Sequence, residues 1–380
     1  MRKLSLSVRD ACNLPGLKEI TLVAGENGLE GIIKAVGILD YEIGGGIKDV
    51  FRKGDFLVSS LYPIREERHR LIEILKELVE IGALGLAIKN IYFKELPKEV
   101  IRYCNQNDFP IFLYPEELYT ENIIYAIIKA LKDDEDNLYL SSKVHGLLSA
   151  NLSEVMVRRM ALEINSRFKE NIFVAYMKYH EDPKYLISTI NNGPSRDLYS
   201  TALLIENGVL LILSREEKNI NLMEFLSKVG IDSRNYAIGT CSSIKSLSKL
   251  DQSIKEALYA GRVAEVYGYK IISFDRIGLN KVIVPMLESE WLKRYYNSMI
   301  MPLLDYDKKH ETDLVKTACI YVNNDGDIRK TSKILFQHGN TIRYRMKKIK
   351  ELLCIEEDIC GFYEQLAFII RVYVMIEQNT

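Results

Sequence analysis

Residues 338–350, HGNTIRYRMKKIK, hold five lysines and arginines and no acid, in a 380-residue chain whose formal net charge is −1. So local a positive patch in a neutral chain suits a polyanion, and its side chains divide by chemistry. Arg343 can offer its fork to guanine O6 and N7, and Asn340 its amide to adenine. Lys347 and Lys348 suit phosphate neutralisation better than base reading. His338, at the head of the stretch, either touches phosphate or caps a helix, and the sequence leaves both open.

Such groups need a rigid frame. At 100° per residue, Ile342, Met346, Ile349 and Leu353 fall on one stripe of a helix over Thr341–Leu353. Asn340, Arg343, Tyr344, Lys347 and Lys348 fall opposite, with Thr341 and Arg345 on the flanks, and Asn340 reads as the N-cap. A short turn, Gln337-His338-Gly339, joins this helix to one that starts at the N-cap Asp327 and runs to Phe336. The inner face of that second helix is Ile328, Ser332 and Leu335. An earlier helix, Thr312–Asn323, is broken by Asn324-Asp325-Gly326. Two helices across a glycine-containing turn, the second basic on its free face, have the geometry of a DNA-binding helix-turn-helix.

The rest of the chain bounds the setting. Its length suggests two or three domains. A hydrophobic fraction of 47% and a charged fraction of 27% are those of a folded protein. The six cysteines, at 12, 104, 241, 319, 354 and 360, form no CxxC pair, which fits free thiols in a reducing cytosol and neither a disulfide framework nor a zinc site. The N-terminus MRKLSLSVRDACNLPG lacks the apolar region of a signal peptide, and no apolar run reaches the ~18 residues of a membrane span. A cytoplasmic protein without metal, cofactor or membrane contact is expected.

The fold class expected is multidomain α/β and α+β. Residues 1–131 alternate short apolar runs (Phe56–Ser60, Leu84–Ile88, Pro110–Leu113) with amphipathic helices near Arg65–Ile81 and Leu96–Asn107, which predicts a mainly parallel α/β domain. A β-hairpin, Glu19–Ala24 and Gly31–Leu39 about Gly25–Gly28, is expected ahead of it. Ligands of open α/β sheets bind outside the carboxyl ends of the strands, so Ser59, Ser60, Leu61, Lys89 and Asn90 border the expected effector pocket. Residues 132–137, KDDEDN, read either as a domain break or as a solvated helix end. A helical stretch follows from about Leu138 to Phe168, with Leu140, Val144, Leu147 and Leu148 on one face; it could connect domains or pair with a second copy of itself. Within a second domain, 138–278, the order β-α-β-β-α-β with a tight hairpin at Glu206-Asn207-Gly208 suggests a ferredoxin-like core. Asp305–Thr312 is a polar linker candidate, and 305–380 is an all-α DNA-binding domain.

The segment GDIRKTSKILFQHGNTIRYRMKKIKELL resembles the C-terminal helix-turn-helix of the PucR family, regulators named for purine catabolism, whose pattern is close to TA..L..HRNT..YR...I..L. Thr331-Ser332, Leu335, His338, Asn340-Thr341, Tyr344-Arg345 and Ile349 match. Ser332 stands where alanine is usual, and Gly339 where arginine is usual, which removes one phosphate contact. The segments LSVRDACNLPGLKEITLVAGENGLEGIIKAVGILD and KGDFLVSSLYP look like the family's N-terminal sensory domain. IGTCSSIKSLSKLDQSIKEALYAGRVAEVYGYKIISFDRIGL looks like its central domain, a distant relative of GGDEF cyclase domains. The resemblance implies a transcriptional regulator answering to a small metabolite of purine, amino-acid or other nitrogen metabolism. Its implied DNA-binding set is Thr331, His338, Asn340, Thr341, Arg343, Tyr344, Arg345, Lys347 and Lys348.

Catalytic chemistry finds little support. The hairpin IENGVLLIL keeps the turn of a GGDEF domain but loses its acidic signature, and Glu206 alone cannot hold two magnesium ions. Gly44-Gly45-Gly46 lacks phosphate-loop spacing, and the five histidines form no HExxH pair. The alternatives left are an enzyme acting on a nitrogenous metabolite through the N-terminal domain, or a protein whose basic helix meets protein or RNA. Because one helix-turn-helix reads few base pairs, a homodimer or higher oligomer on double-stranded DNA is expected.

Overall fold

The computed structural model describes residues 6–149, 151–179, 183–194, 196–356 and 359–377. Its contacts divide into two compact units, Met1–Ser142 and Lys143–Thr380. Among the described residues no helix is long and apolar enough to cross a membrane.

The first unit runs α1 (Val8–Cys12), β1 (Thr21–Ala24), β2 (Ala35–Ile38), α2 (Ile47–Val50), β3 (Asp55–Ser59), α3 (Leu71–Ile81), β4 (Gly85–Lys89), α4 (Lys98–Gln106), β5 (Ile111–Tyr114) and the start of α5 (Thr120–Ser149). The sheet order is β1-β5-β4-β3-β2, parallel from β2 through β5. The central strands β3, β4 and β5 are apolar without alternation because both of their faces are covered. Leu57 and Leu86 pack into one core with Leu75 and Val100, while Phe56, Val58 and Ala87 turn to the other with Phe112 and Ile123.

The expected N-terminal hairpin does not form. β1 pairs antiparallel with β5 at one edge, and β2 pairs with β3 at the other. Gly25, at φ +79°, and Gly28 instead let the chain pass directly against the backbone of Asp108–Pro110, where a Cβ would collide. Nor do residues 132–137 break the chain: they lie inside α5, where Asp134 and Asn137 are buried while the other charges face water. The helix expected over 138–168 is two, α5 and α6 (Glu154–Ile164), parted where Ser153 caps α6 by accepting from Met156 N–H. Val144 and Leu147 are fully buried in the chain itself, and Lys143 Nζ reaches Glu163 at 2.6 Å, so that face is not free for a second copy.

The second unit continues with β6 (Asn171–Tyr179), α7 (Pro183–Asn192), β7 (Ser200–Ile205), β8 (Gly208–Arg215), α8 (Leu222–Lys228), β9 (Tyr236–Thr240), β10 (Lys245–Ser246), α9 (Leu250–Tyr267) and β11 (Ile271–Ser273). The sheet order is β11-β9-β6-β8-β7, with β10 on β6. β9-β6-β8-β7 is antiparallel throughout, and β11 joins β9 in parallel. The Tyr176 ring is buried between Gly208 and Gly261, positions where any Cβ would strike it, and its hydroxyl donates to Ile205 O.

The remaining helices are α10 (Asn280–Met286), α11 (Glu290–His310), α12 (Leu314–Asn323), α13 (Ile328–Leu335), α14 (Gly339–Leu352) and α15 (Ile359–Glu377). Asp305–Thr312 is therefore mostly the end of α11 and not a linker. Asp307 fixes the next helix instead: its carboxylate accepts from Leu314 N–H at 2.7 Å and Val315 N–H at 2.9 Å. One apolar core runs from Ala260 and Val263 of α9 through Ile300, Leu314 and Ile349 to Leu366 and Ile370.

Candidate nucleic-acid interface

α13 begins at Asp327, whose carboxylate accepts from Arg329 N–H at 2.7 Å and Lys330 N–H at 3.1 Å. These bonds satisfy two of the helix's orphan donors. The Lys330 amide chiefly, with help from Arg329, holds the carboxyl below its ordinary pKa. α13 ends at Phe336, which sits in the left-handed region at φ +53°. Its N–H turns back to Lys333 O, and Gln337 N–H to Ser332 O. The chain then enters α14, packed by Ile342, Met346 and Ile349, all buried as the 3.6-residue stripe requires, with Leu353 buried just beyond the helix.

The N-cap of α14 is His338, not Asn340: its Nδ1 accepts from Asn340 N–H at 3.2 Å. Helix α14 thus starts two residues before the expected Thr341. Asn340 lies inside the first turn, and its Oδ1 accepts from Arg343 Nη1 at 2.9 Å. Asn340, Arg343, Tyr344 and Lys347 are exposed together on one face, and Tyr344 is 68% exposed. Thr341 is half-buried on the flank.

Three expected DNA contacts are otherwise engaged. Thr331 is fully buried, with its hydroxyl donated to Asp327 O at 2.7 Å, so it locks the first turn of α13 and cannot meet a ligand. Arg345 Nη1 donates to Thr317 Oγ1 of α12 at 2.9 Å, and Thr317 Oγ1 in turn donates to Asp313 O. That bond sets the angle of α14 on its support. Lys348 lies 5.3 Å from the Tyr306 ring centre and 3.5 Å from Glu351, so part of its charge is already balanced within the chain. Sequence reasoning missed the exposed Arg329, Lys330 and Lys333 on α13. The signal was present, since no acid occurs from Ile328 to Lys350.

A Cβ placed on Gly339 would lie 3.8 Å from Arg343 Nη1 and 3.9 Å from Ile328 Cγ2, which leaves room for a side chain. The model of the PucR family, described as the purine catabolism regulatory protein-like family, matches residues 10–131. The model of the PucR C-terminal helix-turn-helix domain matches residues 314–356. Two separate stretches of the chain thus match domains of the PucR family. The PucR helix-turn-helix match covers α13 and α14, which carry the basic residues, and α12, on which α14 is braced.

Three proteins of Bacillus subtilis (strain 168) are similar. Its purine catabolism regulatory protein is 28% identical over 133 residues, 35% of this chain and 24% of that one. Its proline-responsive transcriptional activator PutR is 26% identical over 266 residues, 64% of each chain. Its DNA-binding transcriptional activator AdeR is 27% identical over 114 residues, 29% of this chain and 27% of the other. The matched stretches span less than two thirds of each relative.

Lys347 and Lys348 separate by their surroundings. Lys347→Ala is expected to weaken duplex binding evenly across sequences and to lower the salt slope by about one unit. Lys348→Ala should lower it by less, because Glu351 already offsets that charge. Binding measured over a series of salt concentrations checks this, and equal slopes for both variants would contradict it.

At the carboxyl ends of the parallel strands the expected pocket residues also divide. Ser59 is buried, donating its hydroxyl to Leu39 O and accepting from Leu61 N–H, and Leu61 is fully buried. Both serve the fold and cannot line a pocket. Ser60, Lys89 and Asn90 are half-exposed, and Lys89 Nζ lies 5.7 Å from the Tyr119 ring centre. Asp40 follows β2 at the same edge, and burial raises its carboxyl pKa against the lowering effect of Ser59.

Proposed function

We propose that this chain is a transcriptional regulator that binds duplex DNA through α13 and α14, works as a homodimer or higher oligomer in the cytoplasm, and answers to a small nitrogenous metabolite. The observation that carries the reading is the face of α14 that holds no acid until Glu351 in its last turn. Asn340, Arg343 and Lys347 stand exposed there, on a helix fixed by a buried stripe. The PucR-family matches at both ends of the chain and the transcriptional roles of the relatives support it. Selection of bound sequences from random duplex DNA tests it. Enrichment of one motif that survives non-specific competitor is expected, and recovery of no motif would refute it.

The domain bounds 1–131, 138–278 and 305–380 belong to this reading. The strand order β9-β6-β8-β7, antiparallel and joined by two helices, is the split β-α-β arrangement of a ferredoxin-like core, and it supports a degenerate GGDEF-like middle domain. The tip of its β7–β8 hairpin offers Glu206 alone, and the Tyr176 ring fills the space beside Gly208. Incubation with GTP and magnesium is expected to yield no cyclic dinucleotide. Product that vanishes in Glu206→Ala would overturn this.

The effector is assigned to the sheet edge that carries Asp40, Ser60, Lys89 and Asn90, at the carboxyl ends of β2, β3 and β4. The bulk of the chain then couples effector to DNA only if the effector binds two states unequally.

A further inference from the structure

Among the described residues of the helical half, Phe336 stands apart from every other large apolar side chain. It is 94% exposed, and its backbone is left-handed at φ +53°. Each property alone is unfavourable. A branched or aromatic residue in the left-handed region is strained where glycine is not, and a bare phenyl ring orders water without return. The turn demands the left-handed backbone, because Phe336 N–H and Gln337 N–H close the end of α13 on Lys333 O and Ser332 O. It does not demand the ring, which finds no cover within the chain.

The charge around the ring selects what covers it. Eight lysines and arginines and no acid lie between Ile328 and Lys350. Lys333 lies three residues before Phe336, and the His338 cap of α14 two residues after it. A protein partner with an apolar pocket would have to be densely acidic to dock here, whereas duplex DNA is so by nature. The turn also stands at the N-terminal end of α14, the end where recognition helices meet base edges. In the major groove the apolar group offered by the bases is the C5 methyl of thymine.

We infer that Phe336 is an apolar contact to DNA, its ring set against a thymine methyl beside the bases read by Asn340 and Arg343. This rests on the DNA-binding reading above, and it adds an apolar, thymine-reading contact to the polar base reading of Asn340 and Arg343. The side chain contributes to which base is tolerated, while the lysines nearby contribute to how tightly any duplex is held.

Three proteins and two duplexes test it, using the full chain and an operator obtained by selection. Phe336→Gly and Phe336→Asn both suit a left-handed turn, so folding, followed by circular dichroism and thermal melting, should be kept or improved. Both variants are expected to bind the operator about tenfold more weakly than the parent, with an unchanged salt slope. The second duplex carries deoxyuridine for thymidine, which removes only the methyl groups. The parent should lose about fourfold on it, the worth of one buried methyl, and the two variants nothing. Variants that bind the operator like the parent would overturn the inference. So would weaker variants that still share the parent's loss on the uracil duplex, since the methyl is then read elsewhere. If selection with the parent enriches no duplex at all, it is the DNA-binding reading that fails.

Discussion

Ile349→Asp is expected to unfold the C-terminal helices and abolish duplex binding. Ile349 is fully buried on α14 and belongs to a core shared with α9, α11, α12 and α15. A carboxylate there has no cationic partner on the stripe formed with Ile342 and Met346, and an unpaired buried charge costs several kcal/mol even after it protonates. Losses above about 4 kcal/mol are exceptional for one substitution and consume a large share of a domain's stability. Ile349→Val, which removes one methylene, should cost only about 0.5–1.5 kcal/mol and keep binding. Denaturant unfolding followed by circular dichroism checks both. A stable, cooperative Ile349→Asp protein would mean that α14 is not anchored through this stripe. Because the core reaches α9, the loss should spread beyond the DNA-binding helices into the β9–β6 sheet.

Arg343→Ala makes the opposite demand: binding lost, fold kept. The side chain is exposed, and its Nη1 donates to Asn340 Oδ1 at 2.9 Å. Removing it should cost about 1–3 kcal/mol in operator affinity, roughly 5- to 150-fold, and relax preference at one base position. The bond to Asn340 adds a second expectation. In the free chain the amide oxygen holds the guanidinium at the head of the helix, so the two residues act together. The double variant should therefore lose less than the sum of the two single losses. Affinities of the four proteins for one operator, each with a melting curve, decide the matter. A folded Arg343→Ala protein that binds like the parent removes α14 as the reading head.

Much of this was legible in the residues, and the failures share a cause. Strands β3, β4 and β5 fall within a residue of the apolar runs that predict them, and β6 to β9 follow the expected β-α-β-β-α-β order, because apolar runs and a tight Glu206–Gly208 turn are local signals. The α14 stripe was legible for the same reason: Ile342, Met346 and Ile349 are buried as their spacing predicts. What spacing could not reveal is which partner satisfies a group. Gly25 and Gly28 look like a hairpin turn but answer to the backbone of Asp108–Pro110, some 80 residues away. Thr331 and Arg345 match a DNA-binding pattern, yet one bonds Asp327 O within its own helix and the other reaches Thr317 across to α12. Ser59 ends a strand as expected but spends its hydroxyl on Leu39. The charged run at 132–137 reads as a break or a helix end because charge and turn propensity coincide there, whereas a helix with one covered face carries both through its middle.

The continuous core from α9 into the last helices sets a rule for anyone building chimeric regulators. An exchange of reading heads at a supposed hinge would place its joint in the polar stretch at 305–312. Cutting there would strand Ile300 and Leu303 on one fragment and their companions Leu314 and Leu366 on the other. Both halves would expose adhesive surface and tend to aggregate. A transplantable head must bring α11 with it, and its recipient must offer a matching seat at Ala260 and Val263. The same continuity forbids a loosely tethered head: a signal crossing this part of the molecule has to travel as a repacking of side chains, in the manner of gears, and not as the swing of a pendulum.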